Sequence, residues 1–200
     1  MNSNEYPKPV LVVQTDFAYR EGAVCSMYGM VKSVYRALEI IDGTHEIPQY
    51  DIWSASYRLY QFLRFWPKGT IFVSVVDPGV GTPRRACAAK TADGYIVITP
   101  DNGTLTHIAE RHGIAEIREI DERVNRLKST LGTSVFHGRD LFAYCAARLA
   151  GGIIDFSQIG PEYPVEEIVL MPRARPEVRG DKIRGIIDIT DPTFGYLWTK

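Results

Sequence analysis

Features that mark secreted and membrane proteins are scarce in this chain. Its three cysteines, Cys25, Cys87 and Cys145, are widely spaced and odd in number, so they form neither a disulfide framework nor a CxxC metal pair. No apolar run approaches the length that spans a bilayer, and residues 1–9 lack the basic start and apolar stretch of a signal peptide. We therefore expect buried, reduced thiols and a cytoplasmic location.

An excess of charge of one sign is also missing. The chain has 23 Lys and Arg residues against 24 Asp and Glu residues, which gives a net charge of -1. A nearly neutral chain has no electrostatic reason to bind DNA, RNA or an anionic membrane. We therefore expect no nucleic-acid partner and no membrane partner.

The common nucleotide-binding and metal-binding motifs are absent as well. The glycine loop at residues 77–81 lacks the Gly-Lys-Ser/Thr ending of a P-loop, and no GxGxxG loop follows the first predicted strand. His107 and His112 lie on one predicted helix, but their spacing separates them by about 140° around its axis. His45 and His137 have no partner at a metal-binding spacing. The sequence therefore predicts no metal site.

What the sequence does contain is a regular alternation of strands and helices, and its 45% hydrophobic residues suffice for one sizeable core. Strands are predicted at 10–15, 70–76, 86–91, 95–99 and 114–120, and helices at 22–38, 51–66, 101–111 and 139–150. Asp93-Gly94 predicts a tight hairpin. The pattern indicates a layered α/β domain with a largely parallel central sheet. Loops that leave its strands should collect at one edge, where we expect the functional site.

The chain changes character near residue 160. Four prolines between residues 161 and 176 favour a linker, and residues 182–189 resemble a strand of a new unit. We therefore predict an N-terminal α/β domain at 1–160, a linker at 161–178 and the beginning of a C-terminal β domain at 179–200.

Unusual polar groups follow several of the predicted strands. The segments are Thr15-Asp16-Phe17, residues 77–85, Pro100-Asp101-Asn102-Gly103 and Phe136-His137-Gly138-Arg139-Asp140. Each also has a purely structural explanation, because Asp and Asn cap turns and helices and glycines permit sharp turns. Alone, none of these segments identifies a function.

Taken in order through residues 10–145, the segments resemble the family of S-adenosylmethionine hydrolases, the hydroxide adenosyltransferases, which are relatives of the fluorinating and chlorinating enzymes. Further matching stretches are Thr44-His45-Glu46-Ile47-Pro48, Tyr50-Asp51-Ile52, Pro67-Lys68-Gly69-Thr70 and Val75-Val76 before the glycine loop. Residues 189–199 resemble the opening of the family's small C-terminal β-barrel domain. That family usually continues well past this point, so we expect the chain to hold only the beginning of the barrel.

The resemblance implies hydrolysis of S-adenosylmethionine to adenosine and methionine, by in-line attack of water on C5′ without a metal or another cofactor. It places the catalytic trio at Asp77, Arg84 and His137. The leaving thioether is neutral and needs no acid, so catalysis must make the water nucleophilic and aligned. Arg84 can hold Asp77 ionised, and either Asp77 or His137 can accept the proton. Arg85 is an alternative partner, although the spacing after Asp77 favours Arg84.

The resemblance also implies the substrate-binding residues and a homotrimer. Asp16 would bind the ribose hydroxyls, and Tyr50 matches an aromatic position beside the adenosyl group. Asp191 and Phe194 match substrate contacts that a neighbouring subunit supplies across the trimer interface. Tyr196 occupies a methionine-side position where the family usually has Asn.

The chain departs from common family residues at three other positions, because Ala18 stands where Gly is usual and Ala23 and Tyr28 replace common residues of the first helix. None of these changes removes a catalytic group.

Several alternative functions remain open from sequence. A halogenating relative is disfavoured, since those enzymes lack an Asp in the glycine loop, and an anionic Asp77 would repel a halide while Gly138 offers only backbone. A sensor could bind S-adenosylmethionine without turnover. A metal-dependent hydrolase could use His45, His107 and His137, and the domain could also be purely structural.

Overall fold

A mixed six-stranded sheet forms the centre of the fold. The computed structural model describes residues 9–173 and 175–199, and within them the sheet lies between two layers of helices, as the sequence predicts. The sheet strands, β1 to β6 in chain order, are Leu11–Thr15, Ile40–Thr44, Ile71–Val75, Ala86–Thr91, Ile96–Pro100 and Ile114–Glu119.

The strand order is β2-β1-β3-β5-β4-β6, and the sheet is largely parallel. β1 runs parallel to β2 and β3, and β3 runs parallel to β5. Only β4 is reversed among these strands, because it pairs antiparallel with both β5 and β6. The predicted hairpin at Asp93-Gly94 joins β4 to β5. The ends of β1 and β3 therefore lie side by side at one edge of the sheet.

Helices cover both faces of the sheet. The helices, α1 to α5 in chain order, are Ala23–Val34, Ile52–Leu63, Thr106–His112, Glu122–Asn125 and Tyr144–Ala150. Leu11 and Val13 pack into the core on the α1 and α5 side, whereas Val12 packs into the opposite core with residues of α2 and α3. This alternation is what a strand buried on both faces requires. Asp51 caps α2 as predicted, since its Oδ1 accepts a hydrogen bond of 2.9 Å from the backbone N–H of Ser54.

The first two helices end earlier than their hydrophobic periodicity predicts. Leu38 is buried in the core, but α1 ends at Val34 and the chain is extended at Tyr35. α2 likewise ends at Leu63 rather than at Trp66. An apolar residue one turn beyond a helix continues the periodic pattern whether or not the backbone stays helical. The hydrophobic pattern therefore predicted the ends of both helices too far along the chain.

The helix predicted to begin at Asp101 or Asn102 begins at Thr106 instead, because the Asp101 side chain binds a distant segment and Asn102 Oδ1 accepts from Thr104 in the turn before the helix. The Asp101 carboxylate accepts hydrogen bonds from Tyr163 Oη and from the backbone N–H of Val169. Gly103 then turns the chain with φ of +111°. The prediction of a cap here was wrong because a side chain that can cap a helix can equally bind a distant segment.

The helix predicted at residues 139–150 has two parts. Residues Gly138–Ala143 form a π-helical turn, and α5 continues from Tyr144. His137 is the residue that directly precedes the π-helical turn, and its backbone is already helical. Such turns widen the helix locally and are frequent at functional sites.

Residues beyond 160 first pack onto the α/β unit and then form two hairpins. Ile168 is buried in the α2 and α3 core. Strands β7 to β10 are Glu177–Arg179, Lys182–Arg184, Ile187–Asp191 and Tyr196–Thr199, paired antiparallel as β7 with β8 and β9 with β10. The single strand predicted at 182–189 is therefore two strands. β8 pairs with the preceding strand β7, whereas β9 pairs with the following strand β10. The division into domains at 160 and 178 stays a prediction.

Two of the three cysteines are buried as predicted, but Cys25 is exposed on α1. All three are free thiols. Across residues 9–173 and 175–199, no helix has the length and apolar character needed to cross a bilayer.

Gly160 is a position where only glycine fits. A Cβ atom there would lie 2.1 Å from the backbone oxygen of Glu119 and 2.7 Å from the backbone nitrogen of Asp121. We predict that Gly160→Ala lowers the free energy of unfolding by about 3 kcal/mol, because backbone atoms at the end of β6 must move. Urea denaturation measures the change.

Gly29→Ala is the matched control, since a Cβ atom at this exposed position of α1 meets nothing within 4 Å. It should raise stability by up to about 1 kcal/mol through helix propensity. Equal stability of the two variants would contradict the packing argument.

Candidate active site

A cleft of about 320 Å³ opens where β1 and β3 end and where the π-helical turn begins. Each of these elements contributes side chains, as predicted for loops that leave a parallel sheet. The cleft is lined by Asp16, Phe17, Tyr50, Asp77, Phe136 and His137, among others. Four of the predicted site residues therefore meet in one place.

Arg84 holds Asp77 through two donor nitrogens, Nε and Nη2. Its Nε lies 3.0 Å and 3.1 Å from the two carboxylate oxygens, and its Nη2 lies 2.5 Å from Oδ2. The side chains are only 10% and 6% exposed, so this is a nearly buried ion pair. Two parallel N–H donors on one planar group fix the carboxylate in orientation as well as in charge.

The same guanidinium also contacts His137. Arg84 Nη2 lies 3.0 Å from His137 Nδ1. A guanidinium can only donate, so Nδ1 must accept, and the neutral ring carries its proton on Nε2. Burial lowers the pKa of His137 below its ordinary value of 6.5, and the positive charge of Arg84 lowers this pKa further. Nε2 is buried and has no hydrogen-bond partner among the residues that the structure describes.

Arg85 points to a different surface. Its Nη2 donates to Glu167 Oε2 at 2.7 Å, and its guanidinium lies 4.5 Å from the ring centroid of Tyr163. The arginine that contacts both Asp77 and His137 is thus Arg84, the one that the spacing favours.

Asp16 and Tyr50 are joined at the other side of the cleft. The Asp16 carboxylate accepts a hydrogen bond of 2.8 Å from the backbone N–H of Tyr50. Burial raises the pKa of Asp16 above its ordinary value, and the charge of Asp77 acts in the same direction, while the bond from Tyr50 opposes them. Tyr50 and Ala18 both have positive φ, of 65° and 52°, so the backbone is strained on both segments. The strain explains why a Gly at position 18 would suit this loop.

Phe17 and Phe136 pack against each other beside His137. Their ring centroids are 5.6 Å apart in an edge-to-face arrangement. A Cβ atom added to Gly138 would lie 3.1 Å from a Phe136 ring carbon and 3.2 Å from a Phe17 ring carbon. The glycine therefore lets both rings approach the start of the π-helical turn, with little space for a side chain.

Sequence reasoning missed two supports of the trio. Asn102 Nδ2 donates a hydrogen bond of 2.9 Å to the carbonyl of Val76, the residue before Asp77. The Arg84 guanidinium lies 5.3 Å from the ring centroid of Phe142, a buried residue of the π-helical turn. Asn102 belongs to a segment that the sequence singled out, but only the fold shows which strand end it binds.

The three predicted residues of the C-terminal segment do not line this cleft. Asp191 lies at the end of β9, with one carboxylate oxygen 3.6 Å from Arg58 Nη1. Phe194 and Tyr196 are 68% and 58% exposed, and their rings stack with centroids 5.8 Å apart. Within one chain they belong to a separate surface, so their role as substrate contacts stays a prediction.

The histidines of the metal-hydrolase hypothesis lie in separate surroundings. His45 bonds Thr15, His107 bonds Ser56, and His137 bonds Arg84. Over the described ranges 9–173 and 175–199, no three His, Cys, Asp or Glu side chains are grouped so that they could hold a metal ion.

Comparison with known proteins shows which family the chain resembles. Residues 11–160 match the sequence profile of the SAM hydroxide adenosyltransferase N-terminal domain. A protein of Methanocaldococcus jannaschii named (R)-S-adenosyl-L-methionine hydrolase is 35% identical over 70% of this chain and 52% of its own length. A protein of Salinispora tropica with the same name is 37% identical over 87% of this chain and 66% of its own. The chain thus spans between half and two thirds of these relatives.

More distant relatives and a solved structure complete the comparison. A fluorinase of an Actinoplanes species is 27% identical over 96% of this chain and 71% of its own length. The crystal structure of an uncharacterized conserved protein from Thermotoga maritima superimposes on this chain with a TM-score of 0.88 and 36% sequence identity. The match covers 95% of this chain and 70% of that one. With the profile match over residues 11–160, these likenesses show that the chain belongs to the SAM hydroxide adenosyltransferase family.

Proposed function

We propose that this protein hydrolyses S-adenosylmethionine to adenosine and methionine, with a water molecule as the nucleophile. The observation that carries the proposal is the buried Asp77–Arg84–His137 arrangement at the wall of the cleft. The relatives named (R)-S-adenosyl-L-methionine hydrolase support the choice of substrate.

The charge of the cleft suits this substrate. Asp16, Glu21 and Asp77 line it, and Phe17, Tyr50 and Phe136 supply aromatic surface. A sulfonium is a cation, so carboxylates and aromatic rings attract it, whereas the same carboxylates repel a halide. Asp16 would accept the ribose hydroxyls, because one carboxylate can accept from both groups of a cis-diol.

We assign each member of the trio a distinct part in activating water. His137 Nε2–H would donate to the water oxygen and orient one lone pair toward C5′. Its Nδ1 is occupied by Arg84, so the proton passes to the Asp77 carboxylate rather than to His137. The new O–C5′ bond forms as the C5′–S bond breaks, and sulfur keeps the electron pair as the neutral thioether of methionine. Water becomes strongly acidic as it is alkylated, so even an Arg-paired carboxylate suffices as its base.

We further propose that the reaction needs neither a metal nor another cofactor. A sulfonium already carries the activation that the leaving group needs, and the trio supplies the donor, the base and the positive charge.

We also propose a homotrimer with active sites between subunits, and the exposed C-terminal hairpin of β9 and β10 supports this proposal. Asp191 and Phe194 lie away from the cleft of their own chain, and Phe194, Leu197 and Trp198 expose apolar surface. A neighbouring subunit would bring such residues to the cleft.

Three free thiols are consistent with a cytoplasmic location, because reducing compartments keep cysteines unpaired.

Hydrolysis should transfer oxygen from solvent to adenosine. We predict that incubation with S-adenosylmethionine in ¹⁸O-water and EDTA yields methionine and adenosine labelled at the 5′ oxygen, as measured by mass spectrometry. Asp77→Asn should lower kcat by about 10²- to 10⁴-fold, since the proton acceptor is lost.

Arg85→Met is the matched control and should keep full activity, because Arg85 contacts Glu167 and Tyr163 rather than the trio. Unlabelled adenosine, 5′-chloroadenosine in chloride buffer, or activity that EDTA abolishes would each refute the proposed reaction. Tight binding of S-adenosylmethionine without any product would indicate a sensor instead.

The tautomer of His137 predicts a pH dependence. Its lowered pKa keeps the ring neutral at pH 7, and protonation would place a second N–H against the Arg84 guanidinium. kcat/KM should therefore be constant near neutrality and fall as the pH drops through the pKa of His137, at a value below its ordinary 6.5.

Arg84→Met should raise the pKa of His137, because the variant removes a nearby positive charge and leaves Asp77 uncompensated. NMR titration of the ring protons measures this pKa without substrate. In Arg85→Met the pKa of His137 should not change, and an equal rise in both variants would disprove the assignment of Arg84.

A further inference from the structure

Behind the cleft, the buried side chain of His45 connects the end of β1 to α1. Its Nδ1 lies 2.8 Å from Thr15 Oγ1, and its Nε2 lies 2.9 Å from Tyr28 Oη. His45 is only 1% exposed, and Tyr28 Oη in turn bonds the Asp42 carboxylate. Thr15 directly precedes Asp16, so this series of hydrogen bonds ends next to a cleft residue.

One anion determines the direction of every bond in the chain. The Asp42 carboxylate can only accept, so Tyr28 donates to it. Tyr28 Oη can then accept from His45 Nε2–H, which leaves His45 Nδ1 as an acceptor for the Thr15 hydroxyl. The Thr15 oxygen is thereby free to accept the backbone N–H of Phe17, 3.2 Å away. In this series of hydrogen bonds, every donor faces an acceptor.

His45 also holds the segment through its backbone. Its carbonyl oxygen accepts a hydrogen bond of 2.8 Å from the N–H of Ala18, the residue in the left-handed conformation. The ring therefore acts on Thr15 and the carbonyl acts on Ala18. Between these two anchored residues lie Asp16 and Phe17, both of which line the cleft.

We propose that His45 is a positioning residue, which fixes Asp16 and Phe17 for substrate binding by accepting the Thr15 hydroxyl at Nδ1. The inference rests on the proposed function, since it takes this cleft as the adenosyl site. If the acceptor at Nδ1 is lost, the Thr15 hydroxyl must rotate to another partner, and the Thr15 end of the Asp16–Phe17 segment loses its support. Binding is then impaired while the Asp77–Arg84–His137 trio stays intact.

Burial keeps His45 in the form that the chain of bonds requires. Desolvation lowers the pKa of His45, although the charges of Asp42 and Glu46 oppose this effect. The ring of Tyr19 packs edge-on against His45 with a centroid distance of 5.1 Å, and Tyr19 Oη also bonds Asp42. The site is thus closed around a neutral imidazole.

Two substitutions separate the ring's contacts. In His45→Asn the amide oxygen can occupy the place of Nδ1 and accept from Thr15, but nothing reaches Tyr28. In His45→Gln the amide reaches the place of Nε2 and can donate to Tyr28, but Thr15 has no acceptor. Both variants remove the same ring, so a purely space-filling role predicts equal effects.

We expect His45→Gln to raise KM for S-adenosylmethionine about tenfold with kcat nearly unchanged, which is the effect of one lost buried hydrogen bond. His45→Asn should keep KM within about threefold of the unsubstituted protein. His112→Asn is the control, because His112 bonds Asp93 and does not line the cleft, and its KM should not change.

A measurement without substrate decides the inference even if the proposed reaction fails. NMR of ¹⁵N-histidine-labelled protein should show His45 as the Nε2–H tautomer at pH 7. The Phe17 amide should exchange with solvent faster in His45→Gln than in His45→Asn. An Nδ1–H tautomer, or equal exchange in the two variants, would overturn the positioning role. Absence of turnover in the unsubstituted protein would refute the proposed function alone.

Discussion

The site depends on one buried guanidinium shared by an acid and an imidazole. Arg84 would be costly to bury alone, and its contacts with Asp77 and His137 offset that cost. The shared donor pairs with the Asp77 carboxylate in a place that excludes most water, and it dictates which nitrogen of His137 carries the proton. A single side chain thereby sets the orientation and the tautomer of the groups around it.

The sheet explains why these groups meet. β1 and β3 are parallel neighbours, so the residues that follow them, Asp16 and Asp77, emerge at the same edge. The π-helical turn brings His137 to that edge from the other side, and Asn102 fastens the end of β3. Regular structure provides the rigid part of the cleft, while strained loop residues shape its rim.

Polar contacts hold the C-terminal hairpin against the α/β unit. Trp53 Nε1 donates to the backbone oxygen of Asp188, and Arg173 pairs with the Asp188 carboxylate. Arg58 lies close to Asp191 on the same strand. These polar contacts orient the hairpin toward α2, with Ile189 buried and Phe194, Leu197 and Trp198 exposed.

The sequence by itself determined the layered α/β fold, the hairpin at Asp93-Gly94 and the strand-exit segments of the cleft, because hydrophobic periodicity and turn chemistry are local properties. Within the trio that the family resemblance implies, the spacing after Asp77 also favoured Arg84 over Arg85. Tertiary structure decided that Asp101 binds Tyr163 instead of capping a helix, that His45 lies behind Asp16, and that His137 accepts from Arg84. Each of these contacts joins residues at least 30 positions apart, and no local pattern records which of several chemically suitable partners the fold brings within hydrogen-bonding distance.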